Sequence, residues 1–125
     1  MEDVPLNLRM ETVGETLVAV CPSGAPVLAA EADALAVIGA LYGSGAELVV
    51  FDVGQLAPAF FELRTGLAGA ILQKFQNYGL RVAILGDIAA KTAASPALAD
   101  FVRETTRRGE VLFLSDADAL RARLA

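Results

Sequence analysis

Two nearly continuous apolar runs constrain the fold of this chain more than any other feature. The first, ELVVFDV, spans residues 47–53, and the second, RVAIL, spans residues 81–85. Strands covered on both faces of a parallel sheet have this pattern, whereas a half-exposed strand alternates apolar and polar residues. Asp52 lies at the end of the first run, and Asp87 follows the second. We therefore expect two central strands whose carboxyl ends meet at one edge of a sheet.

The residues before these runs predict a hairpin. Apolar side chains alternate with polar ones over residues 6–11, which is the period of a half-buried strand. Gly14-Glu15 suits a two-residue turn, and residues 16–20 then return as a second strand. Residues 21–26 are rich in Pro, Ser and Gly, which predicts a loop.

Helical patterns separate the strands. The first helix is predicted over residues 31–42, with Leu35, Ile38 and Tyr42 marking one face and Ala34 and Val37 beside it. Ser95 and Pro96 suit the N-cap and first position of another helix, which Gly109 ends.

A last strand and a last helix complete the predicted order. Residues 110–114 form the strand, and Ser115 is the expected N-cap of the terminal helix. Strands that alternate with helices after a hairpin give parallel central strands joined by crossover helices. The sequence thus predicts a single α/β domain over residues 1–125, with a mixed, mostly parallel sheet edged by an N-terminal hairpin.

The stretch from Pro58 to Gly79 holds the most unusual residue choices. One continuous helix would bury Gly66 and Gly69 in its interior, at a cost of about 1 kcal/mol each relative to Ala. A broken helix avoids part of this cost, with Thr65 as N-cap of a new helix that starts at Gly66. We favour the broken helix, in which the amides of residues 66–68 and Arg64 would form an anion-friendly end. Gly66 and Gly69 would then allow a neighbouring backbone to approach closely.

Composition narrows the classes of function. The net charge of −5 at pH 7 argues against a nucleic-acid binder, and the cluster Arg103, Arg107 and Arg108 suits the last turn of a helix. Charged residues interrupt every apolar run before the roughly 18 residues that a membrane span needs. Cys21 is the only cysteine, which fits a reducing compartment. We expect a cytoplasmic protein, and the wealth of Ala, Gly, Leu and Arg indicates a bacterial source.

An enzymatic role has little support in the sequence. The chain has no His, so a His-based nucleophile or base is excluded, and we expect no catalytic residue, metal or cofactor. Cys21 has no His partner and is expected to be a strand-end residue rather than a nucleophile. Convergence of Asp52, Glu62 and Asp87 for acid–base work is an alternative to three separate solvated carboxylates.

Several motifs together resemble known families. FDV, TGLAG, LRVAILGD and LFLSDADALRARL follow one another as in STAS domains, the anti-sigma-factor-antagonist fold. The segment FFELRTGLAGAILQKFQNYG also resembles the core of an uncharacterised bacterial domain-of-unknown-function family. The STAS resemblance implies that Thr65 occupies the turn that carries a phosphorylatable Ser. This chain has Glu62-Leu63-Arg64 before that hydroxyl, which departs from the STAS pattern, and a plain helix cap is the favoured interpretation of Thr65.

Two hypotheses of function follow. The first is a non-enzymatic protein-interaction or regulatory module, which binds a protein partner or self-associates. The second is a small-molecule or anion-binding protein, or a weak enzyme, with a pocket between Phe60, Phe61, Arg64 and Asp87. A flat apolar edge would favour the first and an enclosed pocket the second. Both use one candidate edge, which consists of Asp52, Phe61, Glu62, Arg64, Thr65, Gly66 and Asp87.

Overall fold

Five strands form one mixed sheet in a computed structural model that describes residues 8–21 and 28–125. The sheet order follows the chain order, and the first pair is antiparallel whereas the other three pairs are parallel. The α/β class and the mixed, mostly parallel sheet with its N-terminal hairpin are thus confirmed. The strands are β1 (Arg9–Val13), β2 (Thr16–Val20), β3 (Leu48–Asp52), β4 (Arg81–Leu85) and β5 (Val111–Leu114).

Helices cover both faces of this sheet. Three of them pack through one large apolar cluster on the first face, and the last helix packs through a smaller cluster on the second face. No helix of the described residues is both long enough and apolar enough to cross a bilayer. The helices are α1 (Glu31–Leu41), α2 (Leu67–Asn77), α3 (Ala89–Ala94), α4 (Pro96–Arg108) and α5 (Ala117–Leu124).

The two apolar runs form the centre of the sheet, as predicted. Alternate residues of β3 and β4 point to opposite faces, and both faces are covered by helices. Burial on two faces explains why these strands lack the alternation of a half-exposed strand. On the larger cluster's side the central strands contribute Val49, Phe51, Val82 and Ile84, and on the other side Leu48, Val50 and Ala83.

The buried face of α1 differs in part from the predicted one, because Ile38, Ala34 and Val37 are buried but Leu35 and Tyr42 are not. Leu35 is exposed, and Tyr42 is 88% exposed, whereas Leu41 is buried instead. The helix ends at Leu41, and the backbone of Tyr42 leaves the helical region, with φ −59° and ψ 126°. Tyr42 therefore no longer follows the helical face that its spacing suggested. The buried residues of α1 are Ala34, Val37, Ile38 and Leu41.

Other differences from prediction concern helix ends. The sequence pattern did not predict α3, whose Ala-rich residues AAKTAA lie directly before Ser95. The terminal helix is capped by Asp116 rather than Ser115, because the Asp116 side chain accepts a hydrogen bond from the Ala119 amide. Ser95 does cap α4 as predicted, and its hydroxyl accepts from the Leu98 amide. Residues 6 and 7 of the first predicted strand and most of the loop at 21–26 lie outside the described residues.

The aromatic centre of the core gives a direct test of this packing. Phe75 of α2 is fully buried, and its ring centroid lies 5.9 Å from that of Phe51 in β3. We expect Phe75→Ala to lower the free energy of unfolding by roughly 3–5 kcal/mol, because it removes ring contacts and leaves a cavity. Urea denaturation of the wild type and the variant measures the loss.

Tyr78, which follows α2 and is exposed, is the matched control. Tyr78→Ala should change the free energy of unfolding by about 0.5 kcal/mol or less. Equal small losses for both variants would show that α2 does not pack on the sheet through Phe75.

Candidate functional site

The carboxyl end of β3 begins the candidate edge. Asp52 is its last residue, and its backbone pairs in register with Leu85 at the end of β4. The exposed Asp52 carboxylate accepts a hydrogen bond from the Gly54 amide at 2.9 Å. The side chain of Gln55 bonds to the same residue, since its Oε1 accepts a hydrogen bond from the Asp52 amide at 2.8 Å. These two bonds close a short 3-10 turn, so Asp52 caps its own turn.

Gln55 is a buried polar residue that connects this turn to the end of β2. It also hydrogen-bonds with the thiol of Cys21, which is buried after β2. Burial raises the pKa of the Cys21 thiol, and the hydrogen bond from Gln55 opposes part of that shift. The thiol therefore stays protonated at neutral pH, which is the unreactive form. This agrees with a structural role for Cys21 rather than a nucleophilic one.

Two further 3-10 turns, Pro58–Phe61 and Leu63–Thr65, lead to α2. Phe60 and Phe61 are buried, with ring centroids 5.3 Å apart in an edge-to-face arrangement. Lys91 of α3 places its Nζ 5.1 Å from the Phe61 ring centroid, a cation–π contact. Phe61, one of the predicted edge residues, is thus mainly an anchor that fixes the turns to the core.

The Thr65 hydroxyl ties the turns together. It accepts a hydrogen bond from the Leu67 amide at 3.2 Å, as the cap interpretation predicts. Its proton points toward the carbonyl oxygens of Ala59 and Glu62, at 2.9 and 2.8 Å. One side chain therefore contacts the backbone of both 3-10 turns and the start of α2.

The helix break is present, but α2 begins at Leu67, one residue later than predicted, and its N-cap is Gly66 rather than Thr65, which ends the preceding 3-10 turn. Gly66 adopts the left-handed conformation with φ 75° and ψ 0°, which glycine enters without strain. The prediction that the amides of residues 66–68 are free to bind an anion is wrong for two of the three. The Gly66 amide donates to the Leu63 carbonyl, and the Leu67 amide donates to Thr65. The predicted close approach of a neighbouring backbone is also wrong, because Cβ atoms added at Gly66 and Gly69 would meet nothing within 4 Å.

Arg64 and Glu62 are on the outer side of the turns. Their side chains form an exposed ion pair at 3.5 Å, and the Arg64 side chain is 87% exposed. Together with Phe61 and Leu63 they border an open depression of about 400 Å³. Ser95 and Ala97, at the start of α4, form its opposite wall.

Asp87 lies apart from this depression. It borders another open depression, which includes Gly86, Thr92 and Phe113. Its carboxylate accepts a hydrogen bond from the Ala89 amide at 2.9 Å, at the start of α3. Asp87 thus caps a turn, much as Asp52 does.

The structure therefore brings part of the candidate edge together. Phe61, Glu62 and Arg64 share one depression, with Thr65 and Gly66 directly beyond, whereas Asp52 and Asp87 belong to separate turns. Within the described ranges, no group of three acidic, Cys or His residues is placed to hold a metal ion.

Sequence reasoning missed two residues of this region. Gln55 carries no motif that distinguishes it from other loop residues, and its role appears only from its burial beside Cys21. Lys91 belongs to α3, and a helix over AAKTAA could have been expected from the high helix propensity of Ala and Lys.

Thr65 gives the first prediction for this site. Thr65→Ala should lower the free energy of unfolding by about 1 kcal/mol, because the Leu67 amide loses its acceptor. Thr65→Ser keeps the hydroxyl and should be nearly silent. Thermal and urea melts of both variants measure the difference, and equal stabilities would show that the hydroxyl does not support the turns.

Cys21 gives the second prediction. Because folding raises its thiol pKa, the folded state favours the neutral thiol, and the resulting stability is lost as pH rises past the ordinary value of 9.0. We expect the wild type to lose stability between pH 8 and pH 10 more steeply than Cys21→Ala, which has no thiol to ionise. Urea melts across this range measure the two slopes, and parallel slopes would contradict the buried, neutral thiol.

Comparison with known proteins places the chain in a family. No curated protein and no solved structure matched it. Residues 13–124 match DUF4180, which is described as a domain of unknown function. The match includes all of α1 to α5 and the four strands β2 to β5. The chain therefore belongs to the DUF4180 family.

Proposed function

We propose that this chain is a non-enzymatic, STAS-like regulatory module of a bacterial cytoplasm, which binds a protein partner over residues 54–66. The observation that carries the proposal is the open depression between the 3-10 turns and the start of α4. An open surface of this kind suits a segment of another protein. A small ligand is usually enclosed over most of its surface.

The shape of this depression supports an apolar contact with charged groups beside it. Phe61, Leu63 and Ala97 supply apolar surface, whereas the largely exposed side chains of Arg64 and Glu62 supply charge. Such a combination of apolar and polar groups is typical of protein interfaces. The backbone of the turns is held by Thr65, so a partner would meet a preformed surface.

Local charge indicates the character of the partner segment. Arg64 and Lys91 contribute two positive charges around Phe61, against one negative charge from Glu62. This patch is positive on a chain whose net charge is −5. A partner segment with an acidic residue beside an apolar one would be attracted to the patch and repelled by much of the remaining surface.

The resemblance to STAS domains supports a regulatory role for this region, because their regulated turn corresponds to the turn around Thr65. Phosphorylation of Thr65 itself receives no support from the hydrogen bonds. A phosphate would replace the proton that faces the carbonyl oxygens of Ala59 and Glu62, and would place negative charge beside them. We therefore propose binding over the turn without modification of its hydroxyl.

The alternative, a small-molecule or anion site, would require Arg64 and Asp87 to line one enclosed pocket. They border separate open depressions, and this observation favours the interaction module.

Charge reversal at the patch tests this proposal. Arg64→Glu combined with Lys91→Glu should abolish capture of a defined set of proteins from the source cell, while the melting temperature stays within a few degrees of the wild type. Arg103→Glu with Arg107→Glu changes the net charge equally on the outer side of α4 and should leave capture unchanged. Quantitative mass spectrometry of the three pull-downs measures the difference, and purified candidates are then titrated.

Two outcomes would contradict the interaction module. Equal capture by both double variants would show that the patch binds no partner. A thermal shift of the wild type with inorganic phosphate or a nucleotide, lost in Arg64→Glu, would favour the anion-binding alternative.

A further inference from the structure

The outer edge of β1, apart from the depression described above, also suggests a binding partner. β1 lies at one end of the sheet order, and no strand of the described ranges pairs with its outer side. The free N–H and C=O groups of an edge strand can pair with another strand. Its sequence, RMETV, has no Pro that would block such pairing.

The hairpin fixes which residues of β1 present those groups. Val13 and Thr16 flank the two-residue turn and are the hydrogen-bonded pair that closes it. Hydrogen-bonded and non-bonded pairs alternate along an antiparallel ladder, so Arg9 and Glu11 bond inward to β2 as Val13 does. Met10 and Thr12 therefore direct their backbone N–H and C=O groups outward.

We propose that β1 pairs antiparallel with β1 of a second copy of this chain, around a two-fold axis at Met10. In this register Met10 faces Met10 of the second copy, and Thr12 faces Leu8 of the second copy. The outward N–H and C=O groups of Met10 and Thr12 are thereby satisfied. Two five-stranded sheets become one continuous ten-stranded sheet with a closed, isologous interface.

Charge complementarity selects this register. Arg9 lies directly opposite Glu11 of the second copy, and the two-fold axis repeats that pair. If the two-fold axis lay at Glu11 instead of Met10, Glu11 would face Glu11 of the second copy. If it lay at Arg9, Arg9 would face Arg9 of the second copy. Like charges directly opposite each other destabilise a sheet, whereas opposite charges stabilise it.

The two faces of β1 agree with this arrangement. Arg9 and Glu11 lie opposite Val20 and Val18, on the α5 face of the sheet, and their side chains are 65% and 37% exposed. In the single chain Arg9 and Glu11 form an ion pair with each other at 3.1 Å. In the dimer Arg9 can instead pair with Glu11 of the second copy, and Glu11 with Arg9 of the second copy. Met10 lies on the other face, half-buried against the large core cluster. The two Met10 side chains would extend that cluster across the interface.

Sedimentation and hydrogen exchange test the wild type first. We expect a concentration-dependent species of twice the monomer mass, and slow exchange of the Met10 and Thr12 amides only in that species. A monomer at the highest soluble concentration would overturn the proposal. Concentration-independent protection of these amides in a monomer would also overturn it, and would assign the edge to residues 1–7 of the same chain.

Charge exchange then tests the register. Arg9→Glu and Glu11→Arg each create like-charge pairs, so each variant alone should have a dissociation constant at least about tenfold higher than the wild type. Mixing the two variants places Glu against Arg at every charged pair, and the heterodimer should form about as tightly as the wild-type dimer. The double variant Arg9→Glu/Glu11→Arg should also dimerise.

The control reverses a charge far from this edge. Arg103→Glu on α4 alters the net charge as Arg9→Glu does and should leave the dissociation constant unchanged. Dimers that persist in both single variants, or that fail to return in the mixture, would show that the copies do not pair through β1 in this register.

Discussion

Burial of β3 and β4 on both faces is the constraint on which the rest of the structure depends. Because helices cover both sides, the interior positions of both strands are apolar, and polar side chains occur only at the strand ends, such as Arg81 and Asp52. Asp52 is the exposed residue that ends β3, and Asp87 follows β4 after one glycine. The location of polar chemistry at the carboxyl edge is thus a consequence of how the core is built.

The segment between Asp52 and α2 shows how that edge acquires its shape. Short 3-10 turns leave many backbone groups without a regular partner, and a compact loop is stable only if those groups are satisfied. The side chain of Gln55 hydrogen-bonds to the backbone of the first turn, and the Thr65 hydroxyl hydrogen-bonds to the backbone of the other two. Phe60 and Phe61 fix the middle of the segment to the core. The edge is therefore a preformed surface whose polar side chains are mostly engaged locally, which suits recognition through shape more than acid–base chemistry.

The sequence predicted the elements whose local signals and tertiary packing agree. The run at 81–85 and the cap at Ser95 appear as expected, because hydrophobic pattern and capping residues indicate the same structure there. The helix break also occurs, although one residue later than predicted. Prediction failed where tertiary geometry decides. The loss of Tyr42 from the buried face depends on where α1 ends, which its spacing does not specify.

The candidate edge was predictable only in part for the same reason. Topology placed Asp52 and Asp87 at one edge of the sheet, but the distance between their turns depends on loop paths that the sequence does not encode locally. The assignment of three free amides to the helix start failed because Gly66 bonds back to Leu63. The role of Gln55 depends on contact with Cys21, which lies on another element.

Two exposed ion pairs, Glu62–Arg64 and Arg9–Glu11, share a property that matters for binding. Each joins residues two apart in the chain, and both members of each pair are exposed to solvent to a substantial degree. Such pairs contribute about 1 kcal/mol or less to stability, so breaking them to bind a charged partner loses little. The same residues in a buried network would be held more strongly, and replacing one ionic partner by another would cost more free energy.

Both segments are also supported by backbone contacts that do not involve these charges: the Thr65 bonds in one case and the β1–β2 ladder in the other. The surface can therefore change its ionic partners at these two places while the fold beneath stays unchanged, and this separates affinity for a partner from stability of the chain.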